Sequence, residues 1–231
     1  MSARYAIYFA PDRHSPWWAF GAHWLGRDEH DNSALAQPSL DGISPMEFAT
    51  ITAEPRRYGF HATLKAPFHL SAGNDEAALV AQLGRLAQTL APVRLGTLRV
   101  ATLGNFTALV PDTEPDGLQE LAASCVNGLD NLRAPLTPAD LARRQLATLD
   151  PRETELLTRY GYPYVMERFR LHMTLTGPVN APVAQRVLEV IKPVISRLNH
   201  DAPLTLDRLC LFVERSPGAP FARTLDVRLR A

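Results

Sequence analysis

Little in this chain points to thiol, membrane or polyelectrolyte chemistry. It has two cysteines in 231 residues, Cys125 and Cys210, too far apart for a metal-binding or redox motif. Both lie in apolar surroundings and read as buried free thiols. No charge of one sign dominates, since 24 Lys and Arg meet 24 Asp and Glu. A chain without a net field has no general attraction for long nucleic acids or anionic membranes. Long hydrophobic runs are also missing. The apolar stretch Tyr5 to Ala10 is far too short for a signal-peptide core or a membrane span, so a cytoplasmic protein is expected. No low-complexity segment or linker divides the sequence. With 46% apolar and 21% charged residues it reads as one soluble globular domain, residues 1–231, with a sizeable core.

One pattern, however, occurs twice. His61-Ala62-Thr63-Leu64 and His172-Met173-Thr174-Leu175 share the form His-x-Thr-Leu, and two residues separate each from a proline, Pro67 and Pro178. The offset is constant: 172 − 61, 178 − 67 and, further on, 203 − 92 all equal 111. That last pair belongs to Ala91-Pro92-Val93-Arg94-Leu95 and Ala202-Pro203-Leu204-Thr205-Leu206, each placed after an amphipathic, helix-like stretch. Each half thus reads strand, helix, strand, turn, strand. A period this long marks a duplicated half-domain rather than a solenoid, and it sets equivalent residues in equivalent places. The expected fold is α+β: two pseudo-symmetric lobes, each an antiparallel sheet with helices on its outer face, and a cleft between them.

Local signals fill in the elements. Tyr5 to Phe9 reads as a strand, and Ser15-Pro16 as an N-cap with proline in the first helical turn. Trp17, Phe20 and Trp24 follow at helical spacing; three aromatics on one face could stack bases, but packing on the sheet is the better reading. Residues 27 to 45 are polar and read as a loop able to serve as a lid. Arg57 to Leu64 and Arg168 to Thr176 are the motif strands. Helices are expected over Asp75 to Leu90, from Thr113-Glu114-Pro115 to about Leu132, after Thr137-Pro138, after Asp150-Pro151 and over Val183 to Leu198, the last kinked at Pro193. Glu153 completes a capping box with Asp150, and Gly161 stops that helix. Leu95 to Thr102 and Phe106 to Val110 form a hairpin over Gly104-Asn105, and Leu204 to Glu214 and Ala222 to Leu229 close the sheet.

Alternation then sorts the motif side chains. On the first strand Arg57, His61, Thr63 and Lys65 share a face opposite Tyr58, Phe60, Ala62 and Leu64. On the second, Arg168, Arg170, His172, Thr174 and Thr176 oppose Phe169, Leu171, Met173 and Leu175. Each strand has an apolar side for the core and a side bearing a histidine, a hydroxyl and cations. A solvated sheet face would also carry arginines, yet it would not repeat His and Thr in the same order. Two imidazoles facing one pocket suit phosphoryl transfer on a phosphodiester: one takes a proton from the attacking water, the other returns one to the leaving oxygen. The hydroxyls of Thr63 and Thr174 can donate to non-bridging oxygens, and Lys65, Arg57, Arg168, Arg170 and Thr176 can hold the phosphate. Tyr58 is a further wall candidate. No metal or cofactor is called for: His14, His23, His30, His69 and His200 lack ligand spacing, and the motif faces carry no carboxylate.

With these residues the chain resembles the 2H phosphoesterase superfamily. The segments Tyr5 to Pro11, Arg57 to Phe68 and Gly161 to Val165 are similar to an uncharacterised bacterial branch of it associated with phosphonate-utilisation operons. The resemblance implies catalytic roles for His61 and His172, phosphate contacts from Thr63 and Thr174, and a bilobal α+β fold with the site between lobes. It further implies a metal-independent cyclic phosphodiesterase acting on a small phosphorylated sugar or nucleotide, for instance a ribosyl 1,2-cyclic phosphate carrying a 5-phosphate. Two alternatives remain at this point. An RNA 2′,3′-cyclic phosphodiesterase or ligase would want a basic track leading from the cleft, and no Lys/Arg run outside the motif strands supplies one. A non-catalytic nucleotide- or phosphate-binding module would use the histidines only as hydrogen-bond donors.

Overall fold

In the computed structural model, which describes residues 3–142 and 149–230, the chain begins with strand β1, Arg4–Phe9. This strand lies within a seven-stranded antiparallel sheet in the order β4-β5-β6-β2-β1-β8-β9 and is buried on both faces. The members are β2 (Ala62–Phe68), β4 (Leu98–Leu103), β5 (Phe106–Pro111), β6 (Met173–Thr174), β8 (Arg208–Glu214) and β9 (Ala222–Arg228). A two-stranded ribbon, β3 (Val93–Arg94) with β7 (Thr205–Leu206), stands apart. Helices α1 (Pro16–Leu25), α4 (Glu76–Ala87) and α8 (Ala181–Asp201) contribute buried residues to the same core as one sheet face. Their starts obey the expected chemistry: Ser15, Asp75 and Asn180 each accept a backbone N–H at the N-cap. The capping box of Asp150 and Glu153 forms at α7 (Pro151–Tyr160), and Gly161 ends it in the left-handed conformation. Pro193 lies inside α8, which continues past it to Asp201.

The 111-residue period is visible in the pairing. β2 meets β6 at Ala62↔Met173 and β3 meets β7 at Arg94↔Thr205; 173 − 62 and 205 − 94 both equal 111. In an antiparallel pair of equivalent strands, only an axis of twofold pseudo-symmetry sets equivalent residues opposite each other. The two halves meet within one continuous sheet where β6 pairs with β2, so the motif pair is central. The halves also exchange parts. The β4-β5 hairpin of the first half flanks the second motif strand, and β8-β9 of the second half flanks β1 beside the first. Helix α8 packs on β4 and β5, while α4 packs on β8 and β9.

One face of the sheet carries the main core, with Ile7, Phe9, Leu64, Met173, Leu175, Leu209 and Leu211 packed against Trp17 and Trp24. The expected packing role of those tryptophans holds: their indole N–H groups donate to Ala202 O (2.6 Å) and Leu175 O (2.8 Å). The opposite face has a smaller cluster of Ala6, Tyr8, Cys210, Phe212 and Phe221. Cys125 and Cys210 are buried and free, and burial pushes both thiols up to about 12, so they stay protonated and inert at neutral pH. No helix among the described residues is long and apolar enough to cross a membrane.

Both motif strands are shorter than their alternation predicts. Residues Ala53–Arg56 form helix α3, following α2 (Pro45–Ile51), and a turn at Tyr58 and Gly59 leads into β2 at Ala62. Met166–Arg168 is a 3₁₀ turn, and the chain is extended but unpaired until β6. The expected helix to Leu132 begins only at Leu118, capped by Gly117, and breaks after Gly128 into a 3₁₀ turn over Asp130–Leu132. Helix α5 is this Leu118–Gly128 segment, and α6 is Pro138–Ala142.

Candidate active site

His61 and His172 each sit one residue before their strand, and both are half-buried. Their Nδ1 atoms lie 2.9 Å from the carbonyl oxygens two residues upstream, Gly59 O and Arg170 O. A carbonyl can only accept, so Nδ1 carries the proton in both rings and Nε2 is left to exchange one. The acceptors obey the same period, 170 − 59 = 111. Thr63 Oγ1 lies 3.3 Å from His61 Nε2, which places hydroxyl and imidazole side by side.

The surroundings of the two rings differ. His61 stacks on Tyr8 at a centroid distance of 3.8 Å, with Tyr58 and Phe212 both at 6.1 Å. This enclosure pushes its pKa down to about 4; the Gly59 carbonyl opposes the shift, and the charges of His172 and Arg27 add to it. His172 lies beside Phe106, whose ring is tilted at 5.9 Å.

Behind His61 the chain is tightly braced. Gly59 has φ of +80°, and a Cβ there would stand 2.9 Å from Glu29 Cβ, so only glycine fits. Arg27 donates to Arg56 O (2.7 Å), to Arg57 O (3.1 Å) and, through both terminal nitrogens, to Phe221 O (3.1 Å). It thereby clamps the turn that presents the Gly59 carbonyl. Glu29, fully buried, accepts from Trp18 Nε1 (2.8 Å) and Arg223 (3.2 Å). Helix α1 approaches the next residue closely, for a Cβ on Gly21 would fall 2.0 Å from the Phe60 ring. The lid expected over residues 27 to 45 therefore fails at its start: Arg27, Asp28 and Glu29 are buried brace, fixed by the charges that made the segment look solvated. Asp28, Glu29 and His30 bring three ligand-type atoms within 4.8 Å of one another. Arg13 on Asp28 (2.6 Å) and Arg223 on Glu29 already supply the positive charge there, so the cluster is a structural knot.

His61, Thr63 and Thr174 line a cleft of about 450 Å³ with Tyr8, Tyr58 and Thr176. Thr176 is buried and its Oγ1 is 3.0 Å from both Thr107 N and Thr107 Oγ1, so it fixes β5 beside the motif. The cleft shares Arg4, Tyr58, Ala66, Pro67 and Tyr162 with a larger chamber of about 830 Å³. Lys65 and Arg57 line that chamber. Lys65 is only 3% exposed and donates to Asp130 (3.0 Å) and Val126 O (3.1 Å). Burial lowers its pKa, partly offset by Asp130. Arg57, off the strand, binds Glu214 and Ala219 O. Arg168 and Arg170 line neither space: Arg168 pairs with Asp150 (2.6 Å) and Arg170 folds back on the carbonyls of Glu167 and Phe169, both on the exposed 3₁₀ approach to β6.

Several lining residues escaped the sequence reading: Arg4, Tyr8, Glu54, Asn105, Phe106 and Arg133. Glu54 brings a carboxylate to the cleft from α3, off the motif faces. For Arg4 and Tyr8 a signal existed, since they alternate with Ala6 on one side of β1, but both sides of that strand are apolar. Asn105 and Phe106 belong to the expected hairpin, whose pattern does not show that it reaches the cleft, and Glu54 and Arg133 come from a short helix and a loop with no local pattern.

Residues 63–222 match the family model described as "Protein of unknown function (DUF1045)". The chain belongs to this family. Two relatives carry the name ribose 1,5-bisphosphate phosphokinase PhnN. The one from Janthinobacterium sp. (strain Marseille) is 39% identical over 221 residues, covering 94% of this chain and 49% of the relative. That from Laribacter hongkongensis (strain HLHK9) is 41% identical over 223 residues, covering 94% of this chain and 50% of the relative. The chain thus spans about half the length of the curated relatives it matches, and this family member corresponds to one part of a longer protein in each.

Proposed function

We propose that the chain is a metal-independent phosphodiesterase that opens a small cyclic phosphodiester by general acid and base catalysis from His61 and His172. The observation that carries this reading is the repeated geometry of the two imidazoles, each held by Nδ1 on a carbonyl with a threonine two residues on. His61, kept neutral by its aromatic enclosure, takes the proton from water; His172 gives one to the leaving oxygen. The hydroxyls of Thr63 and Thr174 donate to the non-bridging oxygens. A docked phosphodiester adds negative charge beside His61 and raises its pKa, so it becomes a stronger base when substrate is present.

The relatives' printed name narrows the substrate. This chain has no phosphate cradle of the Gly-x4-Gly-Lys-Ser/Thr kind, because its only lysines, Lys65 and Lys192, follow Leu64 and Ile191. The kinase step is therefore assigned to the half of the relatives that this chain does not cover, and a companion step to the shared half. Water added across the P–O2 bond of a ribosyl 1,2-cyclic phosphate bearing a 5-phosphate leaves the phosphate on C1 and a hydroxyl on C2. The product is ribose 1,5-bisphosphate, the compound in the relatives' name. This agrees with the link to phosphonate metabolism implied by the resemblance.

Phosphorus NMR of the protein with EDTA tests the reading, using this sugar, 2′,3′-cyclic nucleotides and a short RNA ending in a cyclic phosphate. Ring opening of the sugar, lost in His61→Ala and His172→Ala, is expected. Preference for the RNA end would establish the nucleic-acid alternative. Ligand binding without turnover of any substrate would leave a binding module.

A further inference from the structure

The larger chamber holds more positive charge than its own carboxylates neutralise, and the excess is arranged in two matched clusters. On one side Glu214 is shared by Arg4 and Arg57. On the other, Asp130 is shared by Lys65 (3.0 Å) and Arg133 (2.9 Å). Each cluster sets two cations against one carboxylate. Glu214 and Lys65 are almost fully buried, at 1% and 3% exposure. Asp140 also lines the space, but it is turned to the N–H and hydroxyl of Thr137, at 3.0 and 2.7 Å, on α6. Buried charge is costly unless balanced, and among the described residues four cations stand against the three carboxylates Glu214, Asp130 and Asp140, a net positive charge that an anion entering the cavity balances.

The position is as informative as the charge. Lys65 follows Thr63 on β2 by two residues, about 7 Å along a strand, across a register shift that turns it from the cleft toward the chamber it lines. The chamber and the catalytic cleft meet at Arg4, Tyr58 and Tyr162. A ligand with one phosphorus beside His61 and Thr63, which line the cleft where His172 does not, and an anion one sugar unit away reaches both. Gly161 contributes too: a Cβ there would press on the Arg133 guanidinium at 3.1 Å, so the residue that stops α7 also makes room for this cation.

We infer that the chamber lined by Arg4, Arg57, Lys65 and Arg133 is a second anion subsite, which takes a phosphate monoester carried on the same sugar as the cyclic diester. The subsite rests on the proposed phosphodiesterase reading for its link to catalysis, but not for its ability to bind. It makes the substrate a bisphosphorylated pentose, and selects against nucleosides, which place a base there instead.

Calorimetry with ribose 5-phosphate and ribose on the His172→Ala protein separates the two ideas. Ribose 5-phosphate is expected to bind at least tenfold tighter than ribose, and Arg133→Gln or Arg57→Gln to reduce that ratio about tenfold. The two variants act on opposite clusters, so misfolding of one leaves the other informative. In turnover, the cyclic sugar with a 5-phosphate should exceed the same ring without it in kcat/KM, and that preference should collapse in both variants. Equal binding of ribose and ribose 5-phosphate, or a preference for nucleoside cyclic phosphates, overturns the subsite even if ring opening is seen. Tight binding of ribose 5-phosphate with no ring opening would retain the subsite and overturn the phosphodiesterase.

Discussion

The two halves of the site share a backbone plan and differ in what surrounds it. Both histidines are aimed by a carbonyl two residues upstream, at offsets that agree to the residue. Yet His61 stacks on Tyr8 with Tyr58 and Phe212 nearby, while His172 lies beside the more distant ring of Phe106. The repeat supplies the geometry, and packing makes the two imidazoles unequal. The proposed reaction needs such an inequality, because acid and base must differ in protonation at the same pH.

The sharpest test of that asymmetry is a pair of pH profiles. Removal of either imidazole should cost about 100- to 10,000-fold in ring-opening rate, measured by phosphorus NMR. In wild type the acid limb of kcat/KM should fall through about 4, where free His61 protonates, and the kcat limb should lie higher because bound phosphate raises it. A Tyr8→Leu protein should move the kcat/KM limb upward toward neutrality. An unchanged limb would mean that the Tyr8 ring does not set the role of His61.

Next in size is the brace. Gly59→Ala forces an unfavourable φ and a contact with Glu29, and should lower kcat about tenfold by displacing the carbonyl that aims His61. A thermal melt should show a loss of about 1–2 kcal/mol alongside it. Full activity would show that the acceptor is dispensable.

Stability carries the same asymmetry. His61 binds its proton near 6.5 when unfolded and near 4 when folded, so between those values the unfolded chain holds more protons. Folding stability should therefore rise with pH across that window, by about 3 kcal/mol in all from this group. Urea unfolding at a series of pH values checks it, since His61→Asn should flatten that part of the curve. The smallest effect is expected at Arg168, whose exposed pair with Asp150 lies away from both chambers. Arg168→Ala should change kcat/KM less than about twofold, and a larger loss would return that cation to the site.

The sequence made some of this legible because the signals were local. Ser15-Pro16, Asp150 with Glu153, and the Gly104-Asn105 hairpin are decided within a few residues, and each stands where it was expected. The repeated motif survived for a similar reason, as both copies hold a short pattern in register. Strand lengths did not. Arg57 to Phe60 and Arg168 to Leu171 alternate like strands, but Pro55 lies in α3, Gly59 turns with positive φ, and Met166 opens a 3₁₀ turn at φ of +52°. With those backbones the alternation no longer assigns faces, and so Arg168 and Arg170 were grouped with the site. Arg4 and Tyr8 on β1, Glu54 on α3 and Arg133 after the 3₁₀ turn arrive from three separate parts of the chain, and only the tertiary pairing unites them.

The exchanged hairpins have a consequence for how such a chain could have arisen. A polypeptide of one unit would own a motif strand and a hairpin that belongs beside another copy's motif strand. It could complete this sheet only as a dimer around a true twofold, with one histidine from each subunit at the axis where Ala62 and Met173 now face each other. Within a single chain the two copies need not match, and Tyr8, contributed by a strand that precedes both repeats, stacks on one histidine without stacking on the other.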